Sequence, residues 1–200
     1  MTLYPVFLKL AGERVVIVGG GNVAASKLDG LLAAGARVTV VAPAVVPEIR
    51  RRATVIEAQF APEHLAGARW VVAAATPEVN REVAAAATAR GLFCNAVDDP
   101  AVATAYLGGV VRRGDVEIAI STGGTAPALA GLLREALDAV LPEDLSRWTE
   151  IANEARREWK RAGVPMHARR PLLVRALRRL YPEPRPLLLR ALDRLYAEAA

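Results

Sequence analysis

Three short segments of this 200-residue chain carry residue types at spacings that do chemistry. In VVIVGGGNVAASKLDGLLAAG, residues 15–35, an apolar run meets three consecutive glycines and then an amphipathic helical pattern with no charge in its first turn. Gly19, Gly21 and Ala24 fall at the G-x-G-x-x-A spacing directly between strand and helix. In that arrangement the first glycine permits the tight turn, the second lets backbone approach a pyrophosphate, and the small third residue lets the helix pack on the strand. The phosphates would meet backbone N–H groups at the positive end of the helix. The plain alternative is a tight strand-to-helix turn with no ligand; the strand before and the helix after favour the dinucleotide reading.

The second segment is FCNAVDDP, residues 93–100, at the end of a predicted strand, where open α/β sheets place their ligands. Asn95, Asp98 and Asp99 are its polar members. An aspartate before proline often serves only the turn, but the position beside a nucleotide crevice makes Asp98 the best general-base candidate in the chain. The third segment is AISTGGTAPALAGLLRE, residues 119–135. The hydroxyls of Ser121, Thr122 and Thr125 and the backbone of Gly123 and Gly124 gather ahead of a helix, as an anion nest or as a capped turn. His64 and His167 are not at metal-ligand spacing and read as surface residues, with no metal site. Trp70, Trp148 and Trp159 read as packing residues.

These residues need elements to hold them. Strands are expected at about 6–10, 14–19, 37–41, 54–58, 70–74, 92–96 and 116–120, and helices near 22–34, 44–52, 62–66 and 78–90. Runs such as VVIVGG, RVTVVAP and WVVAAAT have few polar interruptions, as expected of parallel strands covered on both faces. Gly35 and Gly91 sit where helices should stop. The fold class is therefore α/β, a Rossmann-type parallel sheet with helices on both faces. A helix is expected over 126–141, with Thr125 as its N-cap and Pro127 in its first turn, and another over 143–162. The chain then nearly repeats itself, RPLLVRALRRLYPEP at 170–184 and RPLLLRALDRLYAEA at 185–199. Each copy reads as a short helix started by proline. The apolar stripes are Leu172, Leu173, Ala176, Leu177, Leu180 and Leu187, Leu188, Ala191, Leu192, Leu195. The expected domains are residues 1–112 for the nucleotide, 113–142 as a small dimerisation and substrate segment, and 143–200 as a helical part.

Charge separates the two ends. Residues 1–142 carry 13 Lys/Arg against 13 Asp/Glu, residues 143–200 carry 13 against 8, so the excess of +5 lies wholly in the C-terminal part and points to acidic partners. The tail has few aromatics suited to base stacking, and its arginines alternate with leucines as helix faces do, which argues against nucleic acid. A single cysteine, Cys94, excludes a disulfide framework and fits a reducing cytoplasm. No apolar run reaches the roughly 18 residues of a membrane span, and MTLYPVFLKLAGER has neither the basic start nor the apolar length of a signal peptide; a soluble protein is expected. At the end of the second strand, Val40-Val41-Ala42-Pro43-Ala44 lacks the usual ribose-binding carboxylate. Arg50 to Arg52 lie a turn or more along the next helix, so NAD is favoured over NADP.

Taken together, LYPVFLKLAGERVVIVGGGNVAASKLDGLLAAGARVTVVAP, AAAT at 73–76, FCNAVDDP and ISTGGTAPALAGLLRE resemble the precorrin-2 dehydrogenase family, which is also the N-terminal module of siroheme synthases. The resemblance covers about the first 140 residues. It implies oxidation of precorrin-2 to sirohydrochlorin with NAD as hydride acceptor in a homodimer, and in some members insertion of ferrous iron as well. By position, Gly21, Asn22 and Val23 would hold the pyrophosphate, Pro43 and Ala44 would lie by the adenosine ribose, and Thr76 and Asn95 would line the cofactor site. Asp98 matches the family's catalytic aspartate, and Thr122 stands in a loop, Ser121 to Gly124, that would meet substrate carboxylates, with Arg112 and Arg113 as further partners. Relatives commonly carry a proline followed by a small residue where this chain has Gly108-Gly109. Two other readings stay open: an NAD-dependent oxidoreductase acting on another small acid, and a nicotinamide-sensing regulatory module.

Overall fold

Strands β1 (Arg14–Val18), β2 (Arg37–Val41), β3 (Thr54–Ile56), β4 (Trp70–Ala73) and β5 (Cys94–Ala96) form one parallel sheet in the order β3-β2-β1-β4-β5. The structure is a computed structural model and describes residues 3–181 and 185–196. It divides into two units, Met1–Leu107 and Gly108–Ala200. The sequence reading ended the first domain at residue 112 and separated 113–142 from the helices that follow.

In the first unit the sheet is central because its strands are apolar on both faces. Val15, Ile17, Val38, Val40 and Val72 pack on one side with Ala24, Leu28 and Leu31 of helix α1 (Asn22–Ala33) and with Ile49 of α2 (Pro47–Arg52). Val16, Val18, Val71 and Ala73 pack on the other with Val83, Ala84 and Ala87 of α3 (Pro77–Thr88) and with Leu65. Each such Val, Ile or Leu removed from water contributes about 1.5–3 kcal/mol, which makes this sheet a rigid base. Helix α1 stops as expected: Gly35 has φ +74, and the N–H groups of Gly35 and Ala36 donate to the Leu32 and Leu31 carbonyls at 2.9 and 3.1 Å. Two boundaries differ from expectation. Residues 6–10 pair with no strand, and Val6, Phe7 and Leu8 are exposed while only Leu10 enters the core. The second helix starts at Pro47 rather than at residue 44, because proline is favoured at the first helical position.

The second unit opens on a strand the sequence reading missed. β6 (Gly109–Arg113) pairs antiparallel with β7 (Val116–Ile120) in a separate two-stranded sheet, so residues 116–120 do not extend the parallel one. The two-residue turn Gly114-Asp115, with Gly114 at φ +56, is the hairpin signal that marked it. Helices α4 (Pro127–Val140), α5 (Leu145–Arg161), α6 (Met166–Arg178) and α7 (Leu187–Leu195) follow. Their core gathers Val111, Leu141, Leu145, Trp148, Leu177 and Leu189. Trp148 Nε1 donates to the Tyr181 hydroxyl at 2.7 Å, and that hydroxyl donates to Asp144 Oδ1 at 2.5 Å, so the polar tip of a buried indole is satisfied.

The repeat behaves differently in its two copies. α7 begins just after Pro186, but α6 begins at Met166 and runs through Pro171, whose missing N–H costs one helical bond. In α7 the buried residue is Leu189 and Leu187 is exposed, so the stripe is rotated from the predicted one. The side chain of Leu195 and residues 182–184 and 197–199 of the repeat lie outside the described residues. Among the described residues no helix is long and apolar enough to cross a membrane.

Candidate functional site

The strand order reverses direction between β1 and β4, and the crevice at such a switch point is where open α/β sheets bind ligands. The turn after β1 is built to stay narrow there. Gly19 has φ +125, and a Cβ on it would collide with the Ala74 carbonyl at the end of β4. A Cβ on Gly20 would collide with the Ala44 carbonyl after β2, while the Gly20 carbonyl accepts from Val46 N–H at 2.8 Å. Gly20 thus locks the second loop to the first; the fingerprint passes over it, and the only sequence signal was the unbroken run of three glycines. Gly21 differs: a Cβ on it would meet nothing within 4 Å. It is the N-cap of α1, with no side-chain cap and no acidic residue in the first turn, so the N–H groups from Asn22 and Val23 onward lie at a positive, uncapped helix end. Two neighbours are fixed by protein backbone and the third faces open space: a cradle suited to a pyrophosphate.

The neighbouring loops carry the other predicted residues. Pro43 and Ala44 are exposed after β2. Thr76 is the exposed N-cap of α3; its side chain hydrogen-bonds to Glu78, whose carboxyl is held below its ordinary range first by its own backbone N–H and then by this bond. Arg50 pairs with Glu57, and Arg52 with Asp29 and Glu48, which occupies two of the three arginines considered for a ribose phosphate. Asn95 is buried on β5, where its Nδ2 donates to the Ala105 carbonyl at 3.0 Å, so its amide closes the loop that follows β5. Thr104 Oγ1 adds a bond from Cys94 N–H at 2.8 Å. Cys94 itself is buried, which pushes its thiol up to about 11 and keeps it protonated and inert.

Within that closed loop Asp98 stands apart. It has φ 58 and, among the described residues, is the only non-glycine in the left-handed region. Such a conformation costs about 1–2 kcal/mol for most L-residues, less for aspartate. Its side chain is exposed, and it takes no hydrogen-bond or ion-pair partner among the described residues. Asp99 is the turn residue of the pair: its carbonyl accepts from Ala103 N–H at 3.2 Å and its carboxylate lies 3.8 Å from Arg81 Nε. A residue the sequence reading missed ties these loops together. Asn80, buried on α3, accepts from Ala75 N–H at 2.9 Å and donates to the Val97 carbonyl at 3.4 Å. A polar residue at a core position of an apolar helix face was the available signal.

The remaining candidates belong to the second unit. Gly123 N–H donates to Ser121 Oγ at 3.1 Å, Thr125 N–H to the Thr122 carbonyl at 3.2 Å, and Ala126 N–H to Thr122 Oγ1 at 3.3 Å. The loop therefore satisfies three of its own N–H groups, as a capped turn does. Ala126, rather than Thr125, is the N-cap of α4, and the Thr125 hydroxyl donates to the Thr122 carbonyl at 2.6 Å. Gly123 and Gly124 take φ +64 and +78, which the turn requires. Arg112 pairs across the hairpin with Glu117 at 2.7 Å, and Arg113 with Asp138 at 2.8 Å; both are exposed or half-buried pairs of the kind worth about 0–1 kcal/mol, which a stronger anion can displace. Gly108 has a backbone reason: a Cβ there would collide with the Ile120 carbonyl. His64 caps its own 3-10 turn by accepting from Ala61 N–H at 3.0 Å, and His167 is exposed.

Known proteins with similar chains give this geometry its context. A family model described as "Putative NAD(P)-binding" matches residues 6–109, and one described as "Sirohaem biosynthesis protein central" matches residues 113–139. Siroheme synthase 1 of Aeromonas salmonicida is 42% identical over 184 residues, spanning 88% of this chain and 39% of that protein. Siroheme synthase of Salmonella arizonae is 39% identical over 173 residues, spanning 83% of this chain and 38% of that one. The chain thus spans about two-fifths of the length of these relatives. Among solved structures, SirC, precorrin-2 dehydrogenase, superposes with a TM-score of 0.67 at 25% identity, covering 98% of this chain and all of that one.

Proposed function

The chain belongs to the NAD(P)-binding family of siroheme biosynthesis, and from that premise we propose that it oxidises precorrin-2 to sirohydrochlorin with NAD as hydride acceptor. The observation that carries the proposal is the placement, at the carboxyl ends of β1 and β5 of one parallel sheet, of an open Gly21 turn and of Asp98, left-handed and without a partner among the described residues. NAD, when bound, supplies the hydride acceptor.

The chain's own residues supply position and proton handling. The N–H groups at Asn22 and Val23 meet the pyrophosphate, the wall formed by Gly20 and Ala44 sets where the adenosine end can lie beside Pro43, and Thr76 borders the crevice on the β4 side. Dehydrogenation removes one hydride and one proton. Asp98 takes the proton, because its carboxylate is exposed after β5 and pairs with no cation among the described residues. Asn95 serves this site by closing the Asp98 loop. Ser121, Thr122, Gly123, Gly124 and Arg112 meet carboxylates of the tetrapyrrole, with the hydroxyls as the donors left after the loop's own N–H groups are satisfied. Insertion of ferrous iron into sirohydrochlorin needs two pyrrole protons removed, a task open to the same carboxylate. The protein acts as a homodimer in the cytoplasm, and neither nucleic acid nor membrane is a partner.

The test is anaerobic incubation of the purified protein with precorrin-2 and NAD, following the sirohydrochlorin spectrum, then addition of ferrous iron. NAD-dependent sirohydrochlorin supports the dehydrogenase, and iron-dependent conversion above the protein-free rate adds the chelatase. No conversion while NAD still binds would replace this reading with the sensing module or another small-acid substrate.

A further inference from the structure

Asn80 sits where the helix period of α3 demands an apolar residue. Three, four and seven residues on are Val83, Ala84 and Ala87, all buried against the sheet, and Asn80 is buried with them. Asparagine is a weak helix former, and a buried amide without partners is costly. Its two ends are taken up by loops instead of core. Ala75 N–H needs an acceptor and the Val97 carbonyl needs a donor, and a single amide offers both.

The two attachment points lie at the two halves of the candidate site. Segment 74–76 is the wall of the glycine turn: the Ala74 carbonyl is the group a Cβ on Gly19 would strike, and Ala74 N–H donates to the Val18 carbonyl at 2.7 Å. The Val97 carbonyl belongs to the planar peptide that leads into Asp98, so turning it changes φ of Asp98 directly. Val97 N–H is already fixed on the Ala73 carbonyl at 2.9 Å. With the carbonyl held as well, by a long bond of 3.4 Å, rotation of the 97–98 peptide that would release the left-handed strain at Asp98 is opposed.

We infer that Asn80 is a positioning residue tying the cofactor loop to the Asp98 loop: Oδ1 holds Ala75 against the glycine turn, and Nδ2 keeps the Val97–Asp98 peptide in the orientation that presents the carboxylate. The inference rests on the proposed roles of the glycine turn and Asp98, and the variants Asn80→Asp and Asn80→Ala separate the two bonds. Asn80→Asp keeps an acceptor for Ala75 but loses the donor to Val97. In the full chain it should leave NAD affinity within about twofold while lowering kcat for precorrin-2 about tenfold or more. Asn80→Ala should weaken NAD about three- to tenfold in addition. Unchanged kcat in both variants, or losses that merely follow the folded fraction, would overturn the brace. Should the wild type not oxidise precorrin-2, the functional reading fails on its own, and the backbone amide spectrum still decides. Asn80→Asp should move the resonances of residues 97–99 while Ala75 N–H, now bonded to a carboxylate, stays protected from solvent exchange, whereas unmoved 97–99 resonances overturn the brace.

Discussion

The sheet of the first unit and the hairpin with α4 of the second differ in how completely they are covered. In Met1–Leu107 the strands are sealed: β1 and β4 carry residues with almost no exposed surface, and Gly19 and Gly20 are required because neighbouring carbonyls occupy the space of a Cβ. In Gly108–Ala200 the hairpin is half-buried, Ala130 is the only buried residue of α4, and Leu129, Leu132 and Leu133 of that helix are exposed. Gly123 there has a positive φ but open space around it. The first unit therefore has a tightly packed edge beside the glycine turn, with backbone carbonyls against Gly19 and Gly20. The second keeps apolar surface and paired arginines uncovered, the material of contacts with other molecules.

The largest effects should break the rigid edge. Gly19→Val sets a side chain against the Ala74 backbone, which cannot retreat without opening the sheet, and should leave little folded protein by thermal melting. Gly123→Ala at φ +64 should cost only about 1–2 kcal/mol. Gly21→Asp sharpens the contrast: with space for the side chain the fold should survive, while NAD binding measured by calorimetry is abolished because a carboxylate occupies the pyrophosphate position. Retained binding would move the cofactor elsewhere.

Next come Asp98 variants. Asp98→Ala should lower turnover about 10²–10⁴-fold with NAD affinity nearly unchanged. Asp98→Gly should do the same while raising stability by up to about 1 kcal/mol, since glycine carries no left-handed penalty. Wild-type turnover in either removes Asp98 from the mechanism.

The cores differ by a smaller margin. Ile17→Ala should cost about 2–5 kcal/mol in denaturant unfolding, whereas Leu132→Ala, at an exposed site, should stay within about 0.5 kcal/mol at micromolar monomer. If α4 joins two copies, Leu132→Arg should shift a dimer to monomer in sedimentation, and an unshifted dimer would place the interface elsewhere.

The smallest effect concerns Tyr181, whose hydroxyl is raised above its ordinary value by burial and then by its bond to Asp144. A raised folded value means the neutral phenol is the stabilised form. The contribution is complete below the ordinary tyrosine range near pH 10 and is lost as pH rises through the folded value. Tyr181→Phe should therefore be less stable at neutral pH by about 1 kcal/mol, and its melting temperature should fall less steeply between pH 9 and 11.

Much was legible in the residues themselves. Short, valine-rich apolar runs bounded by glycine and proline suit central parallel strands buried on both faces, so β1, β2 and β4 and the helices between them followed from pattern. The glycine turn and the Asp98 loop followed from spacing next to those strands. Residues 6–10 misled because an alternating apolar run looks the same whether or not a partner strand is present. β6 was missed because GVVRR is short and its pairing partner, not its composition, makes it a strand. Other features were decided only by tertiary structure, since they depend on atoms distant in the chain. Gly20 is compulsory because a carbonyl 24 residues away stands beside it; Asn95 also donates to the Ala105 carbonyl and so closes the loop after β5; Asn80 is polar because two loops need one donor and one acceptor at the same point. Spacing along a chain determines which residues can share an element. Which backbone groups are left over at the ends of those elements, and which side chain can reach them, exists only once the sheet is assembled.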